Sequence, residues 1–121
     1  MSGANRPLTS DELALARWML ENGGPDAAPF LEQLEAAEVT TERCPCGCAS
    51  INFKVRGKPS APPGVHPVAD FIYGDEADPK GAFVYESAGI LSGLEVLGYG
   101  GDAPKTLPRP EELRRWEDSA I

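Results

Sequence analysis

Three cysteines and the single histidine are the residues whose types and spacing most directly suggest chemistry. The cysteines share one Cys-Pro-Cys-Gly-Cys segment at 44–48, and the histidine follows eighteen residues later. Three thiolates and one imidazole are the ligand set of a structural zinc site. The candidate metal ligands are therefore Cys44, Cys46, Cys48 and His66, and zinc is the cofactor that they would bind.

The spacing of the cysteines argues against that site. Structural zinc sites prefer two to four residues between cysteines, whereas single residues separate them here. Alternate side chains of an extended strand lie ~6.6 Å apart, whereas two sulfurs on one zinc ion must approach to within about 4 Å. Gly47 permits a bend, but Pro45 restricts Cys44 to extended conformations.

Three interpretations of the cysteine segment therefore stay open. We prefer a tight turn with small buried cysteines and no cofactor, because Pro and Gly form turns and free Cys packs as a small hydrophobe. The second interpretation is a zinc site, or a Cu(I) site, which soft thiolates also suit. The third is a redox role through a Cys44–Cys48 or a Cys46–Cys48 disulfide. The smaller ring would be strained, and strained disulfides are easily reduced.

Acidic residues form the second candidate site. The chain carries 19 Asp and Glu against 11 Lys and Arg, a net charge of −8. This balance argues against a nucleic-acid binder, which needs clustered positive charge. An acidic surface instead attracts a basic protein partner. Asp75, Glu76 and Asp78 lie on an acidic turn predicted over 74–81, and we expect them to contact that partner. The turn lacks the residue pattern of a calcium loop.

Catalytic motifs are scarce, so we expect a non-catalytic protein. His66 is the only histidine and lies in a proline-rich loop. A Cys–His nucleophile pair would need this loop to fold back onto the cysteine segment. The glycine-rich segment at 98–101 lacks the Lys-Ser/Thr of a phosphate-binding loop.

The elements that position these residues follow from hydrophobic periodicity. Thr9 and Glu12 fit a capping box, and a helix is predicted over about 10–22. A second helix is predicted over about 26–38, packed against the first as an antiparallel hairpin. About four strands are predicted within 39–97 and a short helix over about 110–118. Segregated helices and strands indicate one α+β domain over 1–121, with the hairpin on an antiparallel, meander-like sheet.

Two expectations concern assembly and location. Phe71 and Tyr73 should point to one face of their strand, and Val68 and Ile72 to the other. This is more apolar surface than two helices on one face cover, so we expect a homodimer through the second face. No apolar run reaches the ~20 residues of a membrane span. The N-terminal segment lacks a signal-peptide pattern, and the cysteines do not form a disulfide framework, so we expect a cytoplasmic protein.

The combined pattern resembles a group of small uncharacterised bacterial proteins. The resemblance is carried by an Arg-Pro-Leu-Thr-x-x-Glu helix start, the Cys-x-Cys-Gly-Cys-x-Ser-Ile segment at 44–51 and the Gly-Ile-Leu-Ser-Gly-Leu-Glu-Val strand at 89–96. It covers most of the chain but implies no activity. The last strand is also similar to strands of immunity proteins from bacterial toxin systems, which would imply that the basic partner is a toxin.

Overall fold

The protein is a six-stranded antiparallel sheet with two helices. The structure is a computed structural model, and it describes residues 5–40, 49–75, 77–101 and 103–115. The strands are β1 (Arg6–Pro7), β2 (Ala37–Val39), β3 (Ile51–Val55), β4 (His66–Asp75), β5 (Asp78–Ser87) and β6 (Ile90–Gly98). The helices are α1 (Ser10–Asn22) and α2 (Leu31–Leu34), and 3₁₀ turns span Ala28–Phe30 and Pro110–Glu112.

The strands lie in the order β1-β2-β3-β6-β5-β4. The last three strands in sequence form a meander, as predicted, and β6 pairs with β3. The chain between β3 and β4 therefore crosses from the middle of the sheet to its far edge. The sheet has six strands rather than the predicted four, because the short strands β1 and β2 extend it beyond β3.

Helix α1 begins and ends where the sequence predicts. The Thr9 hydroxyl accepts a hydrogen bond from the Glu12 amide, and the Glu12 carboxylate accepts one from the Thr9 amide. This capping box satisfies two backbone donors that have no partner within the helix. Trp18, on α1, packs on Phe71 of β4 with ring centroids 5.0 Å apart. The capped helix is thereby fixed over the edge of the sheet that carries β4.

The predicted helical hairpin is wrong for its second helix. In place of one helix over 26–38, the structure has a 3₁₀ turn, the single-turn helix α2 and then strand β2. Pro29 lies in the first positions of the 3₁₀ turn, where a backbone amide has no acceptor within the turn, so the missing N–H costs no hydrogen bond. Ala37 pairs with Val55, and Val39 pairs with Phe53. Pairing with a distant strand therefore overrides the helical periodicity of this segment.

The hydrophobic core lies between the helices and one face of the sheet. Phe71, Ala82 and Val96 are cross-strand neighbours on that face, and all three are buried. Gly23, at the end of α1, lies so close to Ala69 that an added Cβ would be 2.7 Å from the Ala69 Cβ. None of the helices in the described part of the chain is long and apolar enough to cross a membrane.

The opposite face of the sheet is better covered than the sequence predicts. Ile72 lies on this face and is only 2% exposed. The Tyr99 ring lies against Gly81, the register partner of Ile72. Val68 falls at a register shift in β4, and its side chain joins the main core instead of the outer face. The second face therefore exposes less apolar surface than the sequence suggested, and that surface was the reason for predicting a homodimer. The homodimer stays a prediction.

The predicted C-terminal helix is reduced to its first turn. Pro110–Glu112 form a 3₁₀ turn, and Leu113 is extended, with φ −83° and ψ 142°. Arg114 then forms two backbone hydrogen bonds with Ile72, so the segment adds to the outer edge of β4. Leu113 is buried, as predicted for an anchor of this segment. The second predicted anchor, Trp116, lies outside the described residues.

Candidate functional site

The turn that was predicted to bind a partner is a tight β-hairpin. β4 and β5 pair as far as Asp75 and Asp78, so the predicted loop over 74–81 belongs mostly to the strands. The Asp75 carboxylate accepts a hydrogen bond from the Asp78 amide at 2.9 Å. Gly74 adopts a φ of +84°, and a Cβ there would be 2.6 Å from the Asp78 carbonyl oxygen. The hairpin therefore needs glycine at this position.

Both described carboxylates of the predicted partner-binding set have local partners. Asp75 caps the hairpin, and the Asp78 carboxylate forms an ion pair with Lys80 Nζ at 2.5 Å. Glu76 lies outside the described residues. A carboxylate that already holds a turn or a lysine is a weaker source of attraction for a partner. The structure thus places these residues together but gives Asp75 and Asp78 structural roles as well.

A small cavity lies at the base of this hairpin. Its volume is about 230 Å³, and residues of the β4–β5 hairpin and the C-terminal segment line it. The apolar part of the wall includes Leu107 and Pro108, and the polar part includes Tyr73, Lys80 and Glu112. Small-molecule sites usually measure about 300–1,000 Å³. The cavity is therefore sized for one side chain rather than for a cofactor.

The Tyr73 hydroxyl is the unusual group in this cavity. Tyr73 is 5% exposed, and its buried hydroxyl has no hydrogen-bond partner among the residues that the structure describes. Burial, followed by the negative charges of Glu112 and Asp78, raises the pKa of Tyr73 to about 12. Like any tyrosine hydroxyl it is neutral at pH 7, and the two charges named here disfavour its ionisation further. Buried polar groups without partners are rare in folded proteins.

Glu112 is the carboxylate in the wall of the cavity. Its Oε2 atom accepts a hydrogen bond from the Arg109 amide at 2.7 Å and lies 3.8 Å from the Arg109 guanidinium. No residue in the described ranges bonds to its Oε1 atom. Sequence reasoning missed that Glu112 and Tyr73 line one cavity, because the two residues lie far apart in the chain and no local pattern links them.

His66, the fourth predicted metal ligand, lies at the exposed start of β4. Its Nδ1 atom contacts the Glu86 carboxylate, and its side chain is 70% exposed. The hydrogen bond with His66, followed by one from the Gly89 amide, lowers the pKa of Glu86. Cys44, Cys46 and Cys48 lie outside the described residues. Among 5–40, 49–75, 77–101 and 103–115, no group of three His, Cys, Asp or Glu side chains is arranged to hold a metal ion.

The helical side of the molecule carries a set of exposed carboxylates. None of them forms an ion pair or a hydrogen bond through its side chain with a described residue, and we call the set the acidic helical surface: Asp11, Glu21, Asp26, Glu32 and Glu35. Among the described residues of 10–35, Arg17 is the only lysine or arginine. The polar spacing of Glu32 and Glu35 predicts their exposure, and the sequence also shows the shortage of cations over 10–35. The fold adds that these carboxylates have no ion-pair partner among the described residues.

Buried charge on this side of the molecule is compensated. Glu12 is 8% exposed, and its carboxylate accepts two hydrogen bonds from the Arg6 guanidinium, at 2.8 and 2.9 Å. The hydrogen bond from Arg6 holds the pKa of Glu12 below its ordinary value, against the opposing effect of burial. This pair therefore ties β1 to α1, and the exposed negative charge of the layer comes from the acidic helical surface.

Comparison of the chain with protein-family models, with curated proteins and with solved structures finds no match.

Proposed function

We propose that the protein is a non-catalytic binding protein whose partner is a protein with a basic surface. The observation that carries this proposal is the acidic helical surface, where five exposed carboxylates lie without ion-pair partners in the described part of the chain. Unpaired surface charge of one sign raises the rate of encounter with a partner of the opposite sign.

The distribution of the cations supports the same side of the molecule. Apart from Arg6 and Arg17, every described lysine and arginine lies at residue 54 or beyond, in or after strand β3. Several have acceptors of their own: Lys80 pairs with Asp78, and Arg114 donates to the Gly74 carbonyl oxygen. Cations also lie near the helices, because Lys105 and Arg109 line one pocket with Asp11, and Arg17 and Arg56 line another with Glu35. The helical layer is the proposed docking side because its five exposed carboxylates form no ion pair with a described residue.

The hairpin at Asp75 and Asp78 forms a second part of the proposed interface. Both residues are exposed, and the negative charge of Asp78, like that of Glu112, acts on the Tyr73 hydroxyl. Because Asp75 and Asp78 have local partners, we assign them a smaller share of the electrostatic attraction than the acidic helical surface.

Two triple variants with the same change in net charge test the proposal. The helical variant changes three residues of the acidic helical surface to Gln: Glu21, Glu32 and Glu35. In the matched control, Asp70 is changed to Asn, and Glu95 and Glu111 to Gln, off the helical layer. A partner captured by the immobilised wild type from its own cells is purified, and its association with all three proteins is followed by stopped flow.

The helical variant should associate about tenfold more slowly than the wild type at low ionic strength, and the control should change much less. The difference between the two variants should shrink as salt is raised, because exposed charges are screened. Equal rates for the two variants would show that location does not matter, and a rate independent of salt would refute the electrostatic proposal.

A further inference from the structure

We infer that the cavity between Tyr73 and Glu112 receives one basic side chain, an arginine or a lysine, of the protein partner. The inference rests on the proposed function in one respect, namely that the partner is a protein with a basic surface. It goes beyond that function because it names a pocket, a side-chain class and the two groups that recognise it.

The first argument is the Tyr73 hydroxyl. It is buried and has no hydrogen-bond partner among the residues that the structure describes. No residue of the described ranges bonds to the oxygen and its surface is closed to solvent, so a group in the cavity satisfies it only when the tyrosine ring or the cavity wall shifts to expose it. A phenolic oxygen accepts a hydrogen bond as well as donating one, so it suits the N–H groups of a guanidinium or an ammonium.

The second argument is charge. Glu112 and Asp78 are the charged groups whose fields act on the Tyr73 hydroxyl, and both are negative. The cation in the wall, Lys80, has its ammonium on the Asp78 carboxylate at 2.5 Å, so a carboxylate already neutralises it. The Glu112 carboxylate accepts a hydrogen bond from the Arg109 amide and lies 3.8 Å from the exposed Arg109 guanidinium, both through Oε2, so its Oε1 atom has no donor among the described residues. A cation therefore fits this cavity better than an anion does.

The third argument is shape. The cavity measures about 230 Å³, and Leu107 and Pro108 supply apolar surface beside the polar groups. Arginine and lysine carry a methylene stem that packs on apolar surface and a charged end that seeks polar partners. The stem would contact Leu107 and Pro108, and the charged end would lie between the Tyr73 hydroxyl and the Glu112 carboxylate.

The probe for this pocket is N-acetylarginine amide, titrated into the full chain labelled with ¹⁵N and followed by NMR. N-acetylcitrulline amide, which has nearly the same shape without the charge, is the neutral comparison, and sodium acetate is the anionic one. Saturable shifts are expected for the amides of Tyr73, Gly74 and Lys80 and for those of the non-proline residues of 106–112. The citrulline compound should bind at least about tenfold more weakly, because it cannot pair with the Glu112 carboxylate.

Conservative variants assign the two recognition groups. Glu112→Gln keeps an oxygen for the Arg109 amide and removes the charge, and it should weaken arginine binding about tenfold. Tyr73→Phe removes only the hydroxyl and should weaken binding severalfold. Glu111→Gln is the matched control, because Glu111 is exposed and does not line the cavity. It should leave binding almost unchanged.

Shifts that do not saturate, equal binding of the citrulline compound, preferential binding of acetate, or unchanged affinity in both cavity variants would each overturn the inference. The triple variant at Glu21, Glu32 and Glu35 separates this result from the proposed function. It should bind N-acetylarginine amide like the wild type, whereas its association with the whole partner should slow. A pocket that fails the titration would leave the helical surface as the docking side without this anchor.

Discussion

The Arg6 guanidinium and the Glu12 carboxylate form a two-hydrogen-bond ion pair, with N–O distances of 2.8 and 2.9 Å. The pair joins the edge strand β1 to the first turn of α1 while Glu12 also caps the helix through the Thr9 amide. One buried carboxylate thus holds a strand and a helix start together. A site of this kind is expected to contribute to stability, because a buried charge without its partner is costly.

Arg6→Met should lower the free energy of unfolding by about 1–3 kcal/mol, since it leaves the Glu12 carboxylate buried without its charged donor. Chemical denaturation at neutral pH measures the change. The double variant Arg6→Met/Glu12→Gln should recover part of the loss, because the neutral amide is less costly to bury than an unpaired carboxylate. A double variant as unstable as the sum of the two single variants would show that the residues do not interact.

Acid should remove the contribution of Glu12. Its pKa in the folded protein lies below the ordinary value of 4.5, chiefly because of the hydrogen bond from Arg6. A lowered folded-state pKa gives stability that is fully present above the unfolded pKa and is lost as pH falls through the folded pKa. The stability difference between wild type and Glu12→Gln should therefore be constant near neutral pH and shrink below about 4.5. The same comparison in the Arg6→Met background should depend less on pH.

Gly74 and Gly89 form a matched pair for a test of the hairpin that bears Asp75 and Asp78. Both have a positive φ, +84° and +81°, so alanine is strained at each. A Cβ at position 74 would also be 2.6 Å from the Asp78 carbonyl oxygen, whereas a Cβ at position 89 would have no heavy atom within 4 Å. Gly89→Ala should cost about 1–2 kcal/mol, and Gly74→Ala clearly more. Equal losses in thermal unfolding would contradict the described hairpin geometry.

The predictions from sequence succeeded where the determinants are local. The capping box of Thr9 and Glu12 lies within four residues and identifies the start of α1 without reference to the rest of the chain. The alternation at Ile51, Phe53 and Val55 likewise identifies β3 and its buried face. Both signals are local: the first is a pair of hydrogen bonds between residues three apart, and the second is the two-residue period of a strand.

The predictions failed where distant pairing decides the structure. Ala37 and Glu38 continue a helical pattern in sequence, but in the structure they pair with Val55 and Lys54 of β3. Strand β1 has only two residues, one of them a proline, and it forms because β2 is beside it. The cavity at Tyr73 and Glu112 joins β4 to the C-terminal segment and has no counterpart in any local pattern. The metal and redox interpretations of the cysteine segment stay predictions.

The state of the Tyr73 hydroxyl is testable without any ligand, by comparison with a second buried tyrosine. The Tyr85 hydroxyl donates to the Asn52 side chain at 2.9 Å, so Tyr85→Phe should destabilise the protein by about 1 kcal/mol. Tyr73→Phe removes a hydroxyl that has no partner among the described residues, and the free protein should keep its stability or gain up to about 1 kcal/mol. If chemical denaturation shows that Tyr73→Phe destabilises the protein more than Tyr85→Phe does, the Tyr73 hydroxyl already has a hydrogen-bond partner in the free protein. Tyr73→Phe is expected to weaken binding of N-acetylarginine amide without destabilising the fold. A gain in stability together with a loss of binding would show that the Tyr73 hydroxyl serves binding rather than folding.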